Sequence, residues 1–304
     1  MIYTVTLNPA LDYNLYLESM TEGEVNRVRK SDLCFGGKGI NVSYVLKELG
    51  AETTALGFVA SFTGEYLESA LKEAGINTDF IRLKNGMTRI NVKIKAQSET
   101  DLNTAGPDID SESMSALLEK ISVLKRDDIL CLSGSVPKNC DENIYSKMME
   151  ITAEKGIKTV VDAEGKLLLN CLKYKPFLVK PNAAELEGIF ETRISGEEDI
   201  IKYAAKLHQM GAQNVVVSCG KKGAILVCDQ GVFKAASPKG NAVNAVGAGD
   251  SLVAGFIAAS CQDATPQNVL ALGVAAGSAT AFSENLARKQ EILDLSSKIS
   301  IIKL

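Results

Sequence analysis

The stretch DILCLSGSVP, residues 128–137, is a continuous apolar run that stops at a serine, a glycine and a second serine. Three more stretches repeat the design: KTVVDAEG (158–165), FLVKPN (177–182) and NVVVSCG (214–220). Each ends in polar or small residues and leads into a helical segment. Runs without polar alternation mark strands covered on both faces, as in a parallel sheet with helices above and below. Ligands of such sheets sit beyond the carboxyl ends of the strands. The residues waiting there are Ser133, Gly134, Asp162, Lys180, Asn182, Ser218 and Gly220. One edge of the sheet is therefore expected to carry the site.

The first half fits the same scheme. IYTVTL (2–7) and TALGFV (54–59) read as strands. In KGINVSYVLKEL (38–49), Val42, Val45, Leu46 and Leu49 recur at helical spacing. EYLESALKEAG (65–75) reads as a helix closed by Gly75. Two regions differ, about 12–35 and 88–104. Their alternation, as in DYNLYLE and TRINVKIKAQSETDLN, suits strands with one wet face. The expectation is a single α/β domain over 1–304, a mostly parallel sheet flanked by helices, with a small inserted β lid built from those two regions.

Bulk properties narrow the function. Of 304 residues 46% are hydrophobic and 23% charged, and the formal net charge is −4 with no basic cluster, which argues against nucleic acid as a partner. The start, MIYTVTLNPALD, does not read as a signal peptide, and no apolar run reaches the roughly 20 residues of a membrane span. Seven scattered cysteines without a C-x-x-C pair suit a reducing cytoplasm. The single histidine, His208, lies in an amphipathic helix, so His-based triads and multi-histidine metal sites are disfavoured and a carboxylate is the expected base.

Two glycine-rich stretches then carry the chemistry. In GGKGINVS (36–43), Gly36 and Gly37 permit close backbone approach, with Lys38 and Asn41 near the first turn of a helix. It is neither G-x-G-x-x-G nor a P-loop. In NAVGAGDSLVAGF (244–256), small residues precede Asp250 at a helix start. A plain reading makes Asp250 a helix N-cap. The alternative is an anion hole of unpaired N–H groups with a base beside it, suited to transfer of a phosphoryl group to an alcohol. Spacing alone does not separate the two.

In order, these stretches resemble the signatures of the ribokinase-like sugar kinases of the phosphofructokinase-B family. GGKGINVSYVLKELG (36–50) is similar to the first, NAVGAGDSLVAGFI (244–257) to the second, and LVKPNAAEL (178–186) to the N-x-x-E segment. The resemblance covers essentially the whole chain, lid included. LNPALDYNLYL (7–17), EVNRVRKSDLCFGGKGINVS (24–43) and TRINVKIKAQSETDLN (88–103) are most similar to the bacterial 1-phosphofructokinase branch.

The resemblance implies ATP and Mg²⁺ as cofactors and fructose 1-phosphate as the sugar phosphate, phosphorylated at the 6-hydroxyl. It implies Asp250 as the general base and Gly247, Ala248 and Gly249 as the anion hole. Asp12, Asn41, Gly36 and Gly37 would hold sugar hydroxyls, and Lys38, Arg27 and Arg89 the existing phosphate. Asn182 and Glu185 would organise Mg²⁺ through water. Ser218, Gly220, Gly223 and Gly249 would border the nucleotide, and two lids would pair into a homodimer. Ala245 stands where the second signature commonly has a hydroxyl residue, and Asn244 where many relatives have aspartate. The rivals are a tagatose-6-phosphate kinase or 6-phosphofructokinase of the same family, and a sugar-phosphate-binding regulator without catalysis. A nicotinamide-dependent oxidoreductase is disfavoured by the missing G-x-G-x-x-G after the first strand.

Overall fold

The computed structural model describes residues 1–304. Its central sheet has eleven strands. From one edge the order is Ile301–Lys303, Gly231–Ala235, Ala224–Cys228, Asn214–Ser218, Leu178–Val179, Lys158–Asp162, Ile129–Ser133, Ile2–Thr6, Thr53–Ala60 and Asn77–Thr78, with Ile81–Leu83 also on Thr53–Ala60. All pairings from Asn214–Ser218 across to Asn77–Thr78 are parallel, and the three beyond it are antiparallel. The expected α/β class and mostly parallel sheet are what the chain adopts. The antiparallel edge, closed by the last strand of the chain, was not anticipated.

Apolar residues leave alternate faces of the same strands for two separate cores. Leu130, Leu132, Val161, Val179, Val215 and Val217 pack on one side, beneath helices Ser111–Ser122, Ile144–Glu154, Ala183–Phe190 and Glu197–Gln209. Ile2, Ile129, Cys131, Val160, Leu178 and Val216 pack on the other, beneath helices Lys38–Glu48, Ala248–Ser260 and Pro266–Phe282. A strand buried on both faces has no room for polar alternation, which is why these runs read as continuous.

The helix read from Glu65 starts earlier, at Ser61, directly after the strand ending at Ala60. His208 bonds the Ala212 carbonyl and lies 3.1 Å from Asp229 on its own helix's side of the sheet. All seven cysteines are free. No helix is long and apolar enough to cross a membrane.

A second sheet of four strands, Lys30–Gly36, Ala10–Tyr16, Arg89–Lys95 and Glu99–Leu102, corresponds to the two alternating regions. Its first strand follows Ile2–Thr6 after three residues, and Lys30–Gly36 runs into the helix at Lys38. Residues 17–29 between them are a connection without strand. These two junctions set the small sheet over the carboxyl edge of the large one.

Candidate active site

A cleft of about 900 Å³ lies where the carboxyl ends of the central strands meet the small sheet. Its walls include Asn8, Asp12, Lys38, Asn41, Arg89, Lys180, Asn182, Glu185, Ser218 and Asp250. The edge that sequence pattern singled out thus supplies the floor, and the small sheet supplies the roof.

Helix Ala248–Ser260 points its N-terminus into this cleft. Its N-cap is Gly247, at φ +78°, a left-handed conformation that glycine adopts without penalty. Asp250 is therefore the third helical residue and does not cap the helix, so the N-cap reading of Asp250 fails. Ala248 N–H donates to Ala245 and Ser251 N–H to Gly247, which leaves the Gly249 and Asp250 N–H groups between them as open donors. Open N–H groups at a helix start favour an anion. A Cβ on Gly249 would stand 3.3 Å from Lys180 Nζ, so glycine keeps the space between the donors and that ammonium clear.

Residues preceding the helix are pinned. Asn244 Oδ1 accepts from Val246 N–H and its Nδ2 donates to the Glu284 carbonyl, both at 3.0 Å. Asparagine in place of aspartate therefore ties this turn to the neighbouring loop. Behind the turn, Ser251 Oγ donates to the Gly247 carbonyl at 2.9 Å, shares a hydrogen with Thr280 Oγ1 at 2.7 Å, and Ala287 N–H donates to Thr280 Oγ1 at 3.0 Å. Ser251 and Thr280 are fully buried, so this relay holds the Gly247 turn from beneath.

Asp250 is 6% exposed, and Asn41 Nδ2 donates to its Oδ2 at 2.8 Å. Burial and the nearby charge of Asp162 push the Asp250 carboxyl up to about 6, against the opposing pull of Asn41, Lys180 and Lys38. A carboxylate poised near neutrality, with one oxygen held by an amide, is what a general base requires. Lys180, 5% exposed, sits 3.4 Å from Asp162 Oδ1, with Lys38 at 3.7 Å. Burial opposes the Lys180 charge, but Asp162, Glu185 and Asp250 together outweigh it and hold the ammonium protonated. Asp162 itself is 1% exposed and neither oxygen accepts a hydrogen bond. It acts as a buried counter-charge that keeps two cations at the cleft floor.

Asn182 and Glu185 form a capping box at the start of helix Ala183–Phe190: Asn182 Oδ1 accepts from Glu185 N–H, and Glu185 Oε2 from Asn182 N–H. The box fixes both side chains while Glu185 Oε1 and Asn182 Nδ2 stay free. Burial raises the Glu185 carboxyl, with Lys180 opposing. No set of three or more ligating side chains exists. The free Glu185 oxygen fits a hard cation that keeps its waters, such as Mg²⁺, and the free Asn182 amide can donate to a phosphate oxygen.

At the roof, Asp12 and Asn91 stand side by side on paired strands, and Asn91 Nδ2 donates to Asp12 Oδ1 at 2.9 Å. A Cβ on Gly36 would meet Asp12 Oδ2 at 2.6 Å. Gly37 enters the next helix at φ +123°, beyond ordinary side-chain conformations. Arg89 Nε donates to the Asn8 carbonyl at 3.1 Å, leaving other guanidinium donors for a ligand.

The structure therefore brings together Asp12, Gly37, Lys38, Asn41, Arg89, Asn182, Glu185, Ser218, Gly247, Gly249 and Asp250 in one cleft, with Gly36 against Asp12 and Ala248 in the helix start. It does not bring in Arg27, which is exposed in the 17–29 connection without an ion pair. Gly220 and Gly223 lie in the turn behind Ser218 and do not line the cleft; a Cβ on Gly223 would strike the Ala235 carbonyl at 1.9 Å. Asn8, Asn91 and the structural roles of Asp162 and Lys180 were not read from sequence. Asp162 ends a strand and Lys180 directly follows one, a legible signal, whereas Asn91 gains meaning only from cross-strand register.

Comparison with known proteins gives the family. Residues 5–292 match the model of the pfkB family of carbohydrate kinases. The chain is 43% identical to 1-phosphofructokinase of Bacillus subtilis over 100% of both chains. It is 36% identical to D-tagatose-1-phosphate kinase of Bacillus licheniformis, again over 100% of both. A crystal structure of phosphofructokinase-2 from Escherichia coli in complex with fructose-6-phosphate is similar at a TM-score of 0.92, with 27% identity over 98% of each chain. By cleft, fold and sequence the chain belongs to the pfkB family of carbohydrate kinases.

Proposed function

We propose that this chain is a 1-phosphofructokinase, transferring the γ-phosphoryl group of ATP to the 6-hydroxyl of D-fructose 1-phosphate. The observation that carries the reading is the pairing of Asp250, held by Asn41, with the open N–H groups of Gly249 and Asp250 at one helix start. The substrate is supported by 43% identity to a 1-phosphofructokinase across the full length. In the reaction the O6–P bond forms as the bond from phosphorus to the β,γ-bridging oxygen breaks. Asp250 takes the hydroxyl proton and ADP leaves. The helix start and Lys180 neutralise charge gathering on the transferring group. Asn182 and Glu185 would hold Mg²⁺, which supplies charge neutralisation on the nucleotide phosphates. Ser218 borders the nucleotide end, with Gly220 and Gly223 shaping the turn behind it.

The sugar lies beneath the small sheet, whose closure would exclude water and limit ATP hydrolysis. Lys38 and Arg89 suit the existing phosphate. Arg27 would join them only if the 17–29 connection folded over the cleft. Tyr13, Leu33 and Leu102, 37%, 38% and 52% exposed, lie in one register row across the small sheet with Val92, an apolar stripe that supports pairing of two copies through these sheets. A second substrate, D-tagatose 1-phosphate, is favoured by the 36% identity to a kinase of that name. It differs from fructose 1-phosphate only in configuration at C4. Product analysis by ³¹P NMR tests the reading. Fructose 1-phosphate and ATP should yield fructose 1,6-bisphosphate and ADP, and no new sugar phosphoester would refute it.

A further inference from the structure

Asp12 is the carboxylate at the roof of the cleft, and one of its oxygens is already engaged. Asn91 Nδ2 donates to Asp12 Oδ1 at 2.9 Å from the neighbouring parallel strand. The other oxygen, Oδ2, lies where a Cβ on Gly36 would intrude at 2.6 Å, so the space beside it exists only because residue 36 is glycine. Asp12 is thus gripped from one strand and given room by the other. Asn91 is 7% exposed and lines no part of the cleft, whereas Asp12 does. Asn91 Oδ1 has no partner, a buried polar atom left unpaired beside the one bond the Asn91 side chain makes. Two residues earlier on the same strand, and on the same face, stands Arg89.

We infer that Asn91 is a specificity-determining positioning residue, holding Asp12 so that its Oδ2 accepts a hydrogen bond from a secondary hydroxyl of the bound ketose phosphate. The inference rests on the sugar-kinase reading of the same cleft. A carboxylate free to rotate can follow a hydroxyl to either configuration of its carbon. A carboxylate clamped at one oxygen cannot, and a site built for one hydroxyl position rejects the epimer by leaving a buried group unpaired. The strand Arg89–Lys95 then performs two tasks in register, presenting the Arg89 cation to the phosphate and fixing the Asp12 carboxylate for the hydroxyl. Asn91 acts through Asp12 and touches no substrate atom itself.

The test is a double-mutant cycle of Asn91→Ala and Asp12→Ala. Kinetics with ATP, and calorimetric binding without ATP, are measured on D-fructose 1-phosphate and D-tagatose 1-phosphate. A hydrogen bond to a charged group predicts that Asn91→Ala raises the KM and Kd of the preferred sugar by about tenfold or more, with kcat changed less than about threefold and KM for ATP unmoved. Discrimination between the two epimers should shrink by a similar factor. In the Asp12→Ala background Asn91→Ala should have no further effect on sugar binding, because the residue acts only through that carboxylate. Equal losses in both backgrounds, or a fall in kcat with the epimer ratio intact, would overturn the inference. Thermal melting of every variant separates these outcomes from unfolding. Wild-type protein that binds neither epimer would reject the sugar-kinase reading itself, and this inference with it. Wild-type protein that binds them while Asn91→Ala binds equally well would reject the inference alone.

Discussion

Asn41 Nδ2 donates to Asp250 Oδ2 at 2.8 Å, joining two residues 209 positions apart in the chain. The bond ties the helix that follows the glycine pair at 36–37 to the helix that opens the anion site. It leaves the other carboxylate oxygen of Asp250 to take a proton.

The first consequence concerns pH. With its carboxyl pushed up to about 6, Asp250 is half-protonated near that pH in the free enzyme. The kcat/KM for the sugar phosphate should fall tenfold per unit below about pH 6 and level off above it. The stability effect runs the other way. A carboxyl raised from its ordinary 3.8 binds its proton more tightly in the folded chain, so ionisation of Asp250 destabilises the fold. That penalty is complete above pH 6 and is relieved as pH falls toward about 4. Asp250→Asn should therefore melt at or above the wild-type temperature at pH 7.5, read by calorimetry.

Gly249→Ala separates catalysis from folding. The residue is helical, so alanine suits its backbone, yet the new Cβ would enter the space 3.3 Å from Lys180 Nζ. The melting temperature should hold or rise while kcat drops by about tenfold or more, since small misplacements in an anion site are costly. Unchanged kcat would show that the phosphoryl group is bound elsewhere.

Removal of the Lys180 charge should unsettle the floor of the cleft. Lys180→Met leaves Asp162 with Lys38 alone, at 3.7 Å. Breaking a buried pair from one side costs about 3–5 kcal/mol, and the remaining lysine places this case toward the lower end. Urea unfolding should show the loss, and adding Asp162→Asn should restore much of it.

The relay beneath the anion site gives a further handle. Thr280→Val keeps shape but strands the buried Ala287 N–H and removes the partner of the Ser251 hydroxyl, which keeps its bond to the Gly247 carbonyl. The cost should be about 1–3 kcal/mol in urea unfolding, accompanied by a lower kcat as the Gly247 turn loosens.

Much of this was legible in the sequence, for physical reasons that differ by residue. The strands ending at Ser133, Asp162, Val179 and Ser218 were readable because burial on both faces removes polar alternation. The helix start at Asp250 was readable as small residues before an acid, but spacing could not say whether Asp250 capped the helix, because capping depends on side-chain direction. Asn182 and Glu185 cap their helix and also line the cleft, a double placement that depends on side-chain direction and that spacing could not show. Arg27 read as part of an alternating strand region, yet it sits in an exposed connection, since hydrophobic pattern does not fix where a strand ends. Asn91 escaped notice because its partner is 79 residues away, and only the parallel register of the small sheet joins them.

The central claim is that Asp250 removes a proton from a sugar-phosphate hydroxyl. The most direct measurement is ADP release with Mg-ATP and D-fructose 1-phosphate, D-tagatose 1-phosphate or fructose 6-phosphate, for the wild type and Asp250→Asn. The account predicts the highest kcat/KM with fructose 1-phosphate and a fall in kcat of about 10²–10⁴ in the variant, with sugar KM nearly unchanged. Turnover undiminished in Asp250→Asn would contradict it.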